Sequence, residues 1–170
     1  MITLEPFTES DFETFKSWIH NEEELFQFAG PLLPYPLTNQ TLMKYIQMTD
    51  RKPLKIILNS TNETIGHCEL NFKNGGNRLS RVLIGNENLR GQGIGEKVVR
   101  KVVQLFFSDS NINQVDLNVF SWNTAAIRCY EKVGFRIIHK NTSEMNMNGK
   151  VWEKLNMILE RQNLKNSKNE

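Results

Sequence analysis

An apolar run, Val82-Leu83-Ile84-Gly85, leads into Arg90-Gly91-Gln92-Gly93-Ile94-Gly95, after which Val98, Val99, Val102, Val103 and Phe106 recur at helical spacing. No other stretch constrains the fold as much. It predicts a strand, a glycine loop and a helix in direct succession. Valine is a poor helix former. The stripe nevertheless persists for about three turns, with Glu96, Lys97, Arg100 and Lys101 on the other side, so helix wins over strand. A helix fed by a strand must bury its stripe on a sheet, which sets the class as α/β.

The remaining elements follow from the same periodicities. Thr3–Phe7 reads as a first strand. Thr8 or Ser10 caps a helix carrying Phe12, Phe15 and Ile19, and Asn21 caps a second from Glu22 to Phe28. Gly30, Pro31, Pro34 and Pro36 make a loop. Thr38 opens a helix with Leu42, Tyr45, Ile46 and Met48 as its apolar members, and Pro53 is expected to stop it. Leu54–Leu58, Thr64–Phe72 and Ser80–Gly85 read as strands separated by polar turns. Val115–Phe120 is a strand, Asn123–Val133 a helix with Gly134 as its C-cap, and Phe135–His139 with Val151–Leu159 a final strand pair around a polar loop. This predicts one domain over 1–162, a mixed and mostly antiparallel sheet of six to seven strands with helices on both faces, and a polar, disordered tail over 163–170.

The bulk properties exclude several function classes. Net charge is +2 and the 21 Lys and Arg residues are scattered, so no nucleic-acid partner is expected. No segment approaches the ~18 apolar residues of a membrane helix. The start has neither the basic nor the apolar region of a secretory signal. Cys68 and Cys129 form no metal spacing, so no metal is expected and the simplest compartment is the cytoplasm.

The loop residues Gly91, Gly93 and Gly95 alternate where a helix begins near Ile94. Successive backbone N–H groups in a turn, joined to the positive end of a helix, form a diphosphate concavity. Glycine allows the close approach, and Arg90 adds a cationic donor at the rim. A Walker A loop needs Gly-Lys-Ser/Thr, and here Gly95 is followed by Glu96-Lys97-Val98. A dinucleotide fingerprint needs its third glycine one residue later. The remaining match is Arg/Gln-x-x-Gly-x-Gly/Ala, the coenzyme A pyrophosphate loop, and a glycine turn without a ligand stays open beside it. Further on, Asn123, Ala126 and Tyr130 fall on one helix face. An ordinary amphipathic helix with an Asn cap would look the same.

Together these segments resemble the GNAT superfamily, the Gcn-related N-acetyltransferases, and within it the bacterial branch of ribosomal-protein N-terminal and spermidine acetyltransferases. Leu83 through Glu96 matches the family's motif A, and Asn123-Thr-Ala-Ala-Ile-Arg-Cys-Tyr-Glu-Lys-Val-Gly-Phe135 its motif B. The resemblance implies that acetyl-CoA is the cosubstrate and an amine the acceptor, in a monomer or homodimer. It implies that backbone groups of Leu83, Ile84 and Gly85 bind the pantetheine arm where two parallel strands splay. Gly91, Gln92, Gly93, Ile94, Gly95 and Glu96 would cradle the pyrophosphate, Asn123 would bond the pantetheine, and Tyr130 would lie near the sulfur. Two positions depart from the pattern: members usually carry a β-branched apolar residue at Gly85 and often a proline at Glu87. A glycine at 85 is expected to sharpen a bulge.

Acetyl transfer to an amine needs a neutral amine, a donor for the oxyanion and a proton for the thiolate. Tyr130 suits the last role and a backbone N–H near Ile84 or Gly85 the second. Glu69 is the candidate base, with His67, Glu69 and Asn71 on one strand face, and His67 is a lesser option. Direct transfer is preferred to a route through Cys68 or Cys129. The loop Phe28–Leu37, Trp122 and Trp152 are candidates for the acceptor side, and Glu22, Glu23 and Glu24 could draw in a cation. A non-catalytic acyl-CoA-binding module on the same fold is the alternative, and an unrelated nucleotide binder a third reading.

Overall fold

A computed structural model describes residues 1–164. Among the described residues five α-helices and eight strands follow in the order β1 (Ile2–Pro6), α1 (Phe12–Ser17), α2 (Glu22–Ala29), α3 (Asn39–Ile46), β2 (Arg51–Leu58), β3 (Glu63–Asn71), β4 (Arg78–Ile84), α4 (Ile94–Phe107), β5 (Gln114–Phe120), α5 (Thr124–Val133), β6 (Arg136–Ile137), β7 (Ser143–Met147) and β8 (Lys150–Glu160). The strands form one sheet in the order β1-β2-β3-β4-β5-β8-β6, with β7 also paired to β8. Every pairing is antiparallel except β4–β5. The expected sheet had six to seven strands, and the extra one is β7, inside the expected polar loop. Pro53 does not stop α3, which ends at Ile46. It lies within β2, just past the last β1–β2 pair, Pro6↔Leu54, where a missing N–H is tolerated. Residues 165–170 of the expected tail lie outside the described residues, whereas Asn163 closes a 3-10 turn and Leu164 packs on the core.

Two apolar cores flank the sheet. One lies under α4 and α5 and holds Val98, Val99, Val102, Val103, Phe106, Val115, Leu117 and Met157, so the valine stripe of α4 is buried as its period predicts. The other lies under α1–α3 and holds Phe7, Phe12, Phe15, Leu25, Leu42 and Tyr45. Alternation along β3 sends Cys68 and Leu70 to the first core, and Ile65 joins them because the register with β2 shifts there, between Ile56 and Ile57. His67 and Glu69 face the second, where they meet Tyr45. Among the described residues no helix is long and apolar enough to cross a membrane.

Two irregularities shape the middle of the sheet. The parallel β4–β5 ladder has only two pairs, Arg78↔Asp116 and Leu79↔Leu117, and beyond them the strands part. Where they part, Asn156 of β8 donates from Nδ2 to the Leu117 carbonyl and the Asp116 carboxylate, each at 3.1 Å. On the other side of β4 the register slips: His67 pairs with Leu83 and Glu69 with Ser80, so Arg81 and Val82 oppose Cys68 alone. Arg81 takes a left-handed φ of 50° to make this bulge. Gly85 follows the strand with its N–H on the Ile65 carbonyl at 2.9 Å.

Candidate active site

β4 and β5 part toward their C-terminal ends, and the glycine loop continues from β4 at that end of the slot between the two strands. Asn86 caps a 3-10 turn at Glu87–Leu89, and the chain then turns through Gly91 and Gly93 at φ 75° and 77° into α4. A left-handed φ at both positions excludes most side chains. A Cβ added at either would meet no atom within 4 Å, so the cradle is open as well as glycine-dependent. Gly93 is the N-cap of α4 and carries no capping side chain, which leaves the amides of the first turn pointing into that space. Glu96 is ion-paired with Arg100 at 2.8 Å, so only its backbone can serve an anion. Arg90 is half exposed and turned back, with Nε on the Ile84 carbonyl at 3.0 Å and its other end on Glu87 at 2.9 Å.

α5 supplies the second group. Asn123 caps it, its side-chain oxygen accepting from the Ala126 N–H at 3.2 Å, so its Nδ2 is left as a donor. Tyr130 lies farther down the helix against Phe135, with ring centroids 6.0 Å apart. Burial, then the adjacent Cys129, push the Tyr130 phenol above its ordinary value. α4 and α5 pass close to each other at Gly95, where an added Cβ would make an ordinary van der Waals contact with Cys129 Sγ at 3.6 Å.

Glu69, the expected base, is fully buried and faces the second core, one strand away from the slot. It accepts from Tyr45 Oη at 2.6 Å, pairs with Arg81 at 2.6 Å and lies 3.6 Å from Arg51. His67 is also buried, and desolvation lowers its pKa to about 4. Its Nδ1 contacts the Arg81 carbonyl at 3.1 Å. A carbonyl only accepts, so Nδ1 carries a proton, and with its pKa lowered to about 4 the ring is neutral at pH 7. Neither cysteine is prepared as a nucleophile: burial raises Cys68 to about 12 and Cys129 to about 11.

The β5 side of the slot is aromatic. Phe120 at the end of β5 meets Trp152 at 4.8 Å, Trp122 at 6.0 Å and Phe26 of α2 at 6.2 Å, and Trp122 is 47 % exposed. Beside Phe26 lies a cleft of about 210 Å³, bounded by Glu22, Leu33, Pro34, Tyr35 and Met147. The expected acceptor loop and tryptophans are therefore on one side of the sheet. Of the three glutamates, Glu24 caps its own helix, while Glu22 and Glu23 hold Asn148 and Lys150 of the β7–β8 turn at 2.9 and 2.7 Å.

Sequence reasoning missed Arg81, Tyr45, Arg51 and Trp18. Tyr45 reads as one more apolar member of a helix stripe, and no local signal marks a left-handed arginine in a strand. Trp18 explains Gly85: a Cβ at that position would overlap the indole ring. Gly85 is therefore not the bulge, which lies at Arg81.

The family model described as acetyltransferase (GNAT) domain matches residues 1–136. Aminoglycoside N(6')-acetyltransferase type 1 of Klebsiella pneumoniae is 27 % identical over 151 residues, covering 79 % of this chain and 73 % of that protein. A kanamycin resistance protein of Rhizobium radiobacter is 40 % identical over 52 residues, 31 % of this chain and 48 % of that protein. Among solved structures, aminoglycoside acetyltransferase AAC(6')-Ib in complex with coenzyme A superposes with a TM-score of 0.70 at 23 % identity, covering 95 % of this chain and 96 % of that one. Spermidine N-acetyltransferase from Vibrio cholerae, in complex with CoA and spermine, superposes with a TM-score of 0.77 at 16 % identity over the same shares. At these identities the superpositions speak for the fold.

Proposed function

Because this chain belongs to the GNAT acetyltransferase family, and is thereby an acetyl-CoA-dependent acyltransferase, we propose that it moves an acetyl group to a primary amine by direct attack, with both substrates bound together. The observation that carries this is the junction of two features. The β4–β5 ladder stops after Leu79↔Leu117, and the open left-handed glycine cradle stands at the slot this creates. The donor set fits acetyl-CoA: neutral backbone N–H groups at a helix start for a pyrophosphate, and unladdered backbone of β4 for an amide-bearing arm.

Acetyl-CoA would supply an activated thioester carbonyl. Gly91–Glu96 hold the pyrophosphate through main-chain N–H groups, and Arg90 swings from Glu87 to the rim. Leu83, Ile84 and Gly85 offer the backbone edge, Asn123 donates from Nδ2, and Ala126 leaves room beside it. The Gly85 N–H is engaged by the Ile65 carbonyl at 2.9 Å, so of the two expected donors the main-chain N–H of Ile84 is the one that would donate to the carbonyl oxygen as it gathers charge. Tyr130 holds a proton for the departing sulfur. Its raised pKa keeps the phenol protonated at neutral pH but makes it a weaker acid than the ordinary tyrosine and thiol values imply. Hydrogen-bond donation to sulfur is then its main contribution. The amine would give its ammonium proton to water on the aromatic side and attack as the neutral base; the adduct's nitrogen would lose a second proton to water as the C–S bond breaks and the sulfur leaves as the thiol. The named acceptors of the relatives, aminoglycosides and polyamines, share a primary amine, and that is the class proposed.

The test pairs isothermal titration of acetyl-CoA with free-thiol detection across kanamycin, spermidine and N-terminal peptides. Acetyl-CoA binding together with amine-dependent thiol release is expected. Tight binding with no release across the panel would convert the reading to a non-catalytic acyl-CoA module. Binding of ATP or NAD but not CoA would overturn both.

A further inference from the structure

We propose that Glu69, His67 and Tyr45 are positioning residues that hold Arg81 in its left-handed bulge and thereby set the edge of β4 that receives the acyl donor. The inference rests on the slot being the donor site. Arg81 is gripped from both ends. Its guanidinium pairs with Glu69 at 2.6 Å and approaches the Ala29 carbonyl at 3.5 Å, while its own carbonyl accepts from His67 Nδ1 at 3.1 Å. Glu69 is in turn fixed by the Tyr45 hydroxyl at 2.6 Å and by Arg51, which is itself anchored on Asp50 at 2.9 Å. The Arg81 Nε is buried without a partner among the described residues, so the guanidinium is placed for Glu69 and not for full hydrogen bonding.

This arrangement is matched to a conformational problem. An L-residue at φ 50° in mid-strand is held there only by its surroundings. The bulge turns Leu83, Ile84 and Gly85, which lie between the glycine loop and the slot, away from the register they would otherwise keep. A buried carboxylate whose oxygens are taken up by two arginines and a phenol is suited to hold a cation in place.

A glycine at 81 would adopt the left-handed φ without the grip, which supplies the test. CoA affinity is measured by titration for wild type, Glu69→Gln and the double variant Glu69→Gln/Arg81→Gly, which leaves no orphaned partner of the pair. The single variant should weaken CoA by about tenfold, the scale of one charged hydrogen bond. The double variant should return to within roughly threefold of wild type, the recovery that a φ-compatible glycine allows. The acid limb of kcat/KM should be unchanged in Glu69→Gln. Unchanged affinity with loss of that limb would make Glu69 the base and overturn the proposal, as would a double variant no better than the single one. Should Glu69→Gln not fold, Tyr45→Phe removes only the 2.6 Å bond and should still weaken CoA several-fold; wild-type affinity there counts against the proposal. Backbone amide shifts of Val82 and Leu83 follow the same bulge without ligand. A wild-type chain that binds no CoA would therefore sink the functional reading alone. In that case the inference stands or falls on whether the double variant restores those shifts.

Discussion

His67 touches the rings of Phe7, Phe15 and Phe28 at centroid distances of 5.0, 5.1 and 5.6 Å, surroundings that disfavour a charged imidazole. Its pKa is lowered by desolvation from 6.5 to about 4. A depressed pKa contributes stability that is present above the unfolded value and lost as pH falls through the folded one. Wild type should therefore lose up to about 3 kcal/mol between pH 6.5 and 4 from this residue. Thermal melts across that range should be shallower for His67→Asn, which keeps a donor toward Arg81 but does not titrate. At Tyr130, replacement by Phe should lower kcat by about 10- to 100-fold while leaving CoA affinity within about twofold; equal loss in both would remove the acid role. Alternation along the sequence is enough to put His67 and Glu69 on one strand face. Whether that face meets solvent or a second core is not legible there, because the partners that neutralise Glu69 come from β2, β4 and α3, and Arg81 stands 12 residues on.

Helix starts are readable because capping is local. Asn21, Thr38 and Asn123 all accept from the N–H three residues on. β7 is not, since Ser143–Met147 is mostly exposed and is a strand only because β8 pairs with it. The meeting of α1 with the end of β4 is hidden for the same kind of reason: Gly85 is out of pattern in the sequence, and the Trp18 ring that accounts for it comes from a distant part of the chain. A valine at 85, the residue type usual in the family, should therefore cost about 1–3 kcal/mol by overpacking. In the Trp18→Ala background most of that loss should vanish. A double-mutant cycle on denaturation midpoints reads the coupling, and strict additivity would refute the contact as the reason for glycine.

Across the molecule, the turn after β8 ties the distant end of α4 to the sheet. Arg161 donates to the carbonyls of Phe107, Asp109 and Ile112 at 2.8, 2.7 and 2.6 Å, and its guanidinium lies 4.7 Å from the centre of the Phe107 ring. These carbonyls lie at or just beyond the C-terminal end of α4, where acceptors are otherwise unpaired. Arg161→Ala should cost about 2 kcal/mol, or roughly 4–8 °C in Tm for a chain of this size. An unchanged melting point would mean that water replaces all three bonds. The same end of the chain closes the sheet. β8 fills the place beside β5, with β7 also paired to it and β6 beyond it, although it comes last in sequence. A nascent chain must therefore carry β5 as a naked edge, with Val115, Leu117 and Val119 ready to pair elsewhere, until the last strand has left the ribosome. Lesions in β8 are thus expected to lower the yield of soluble enzyme well before they touch its turnover.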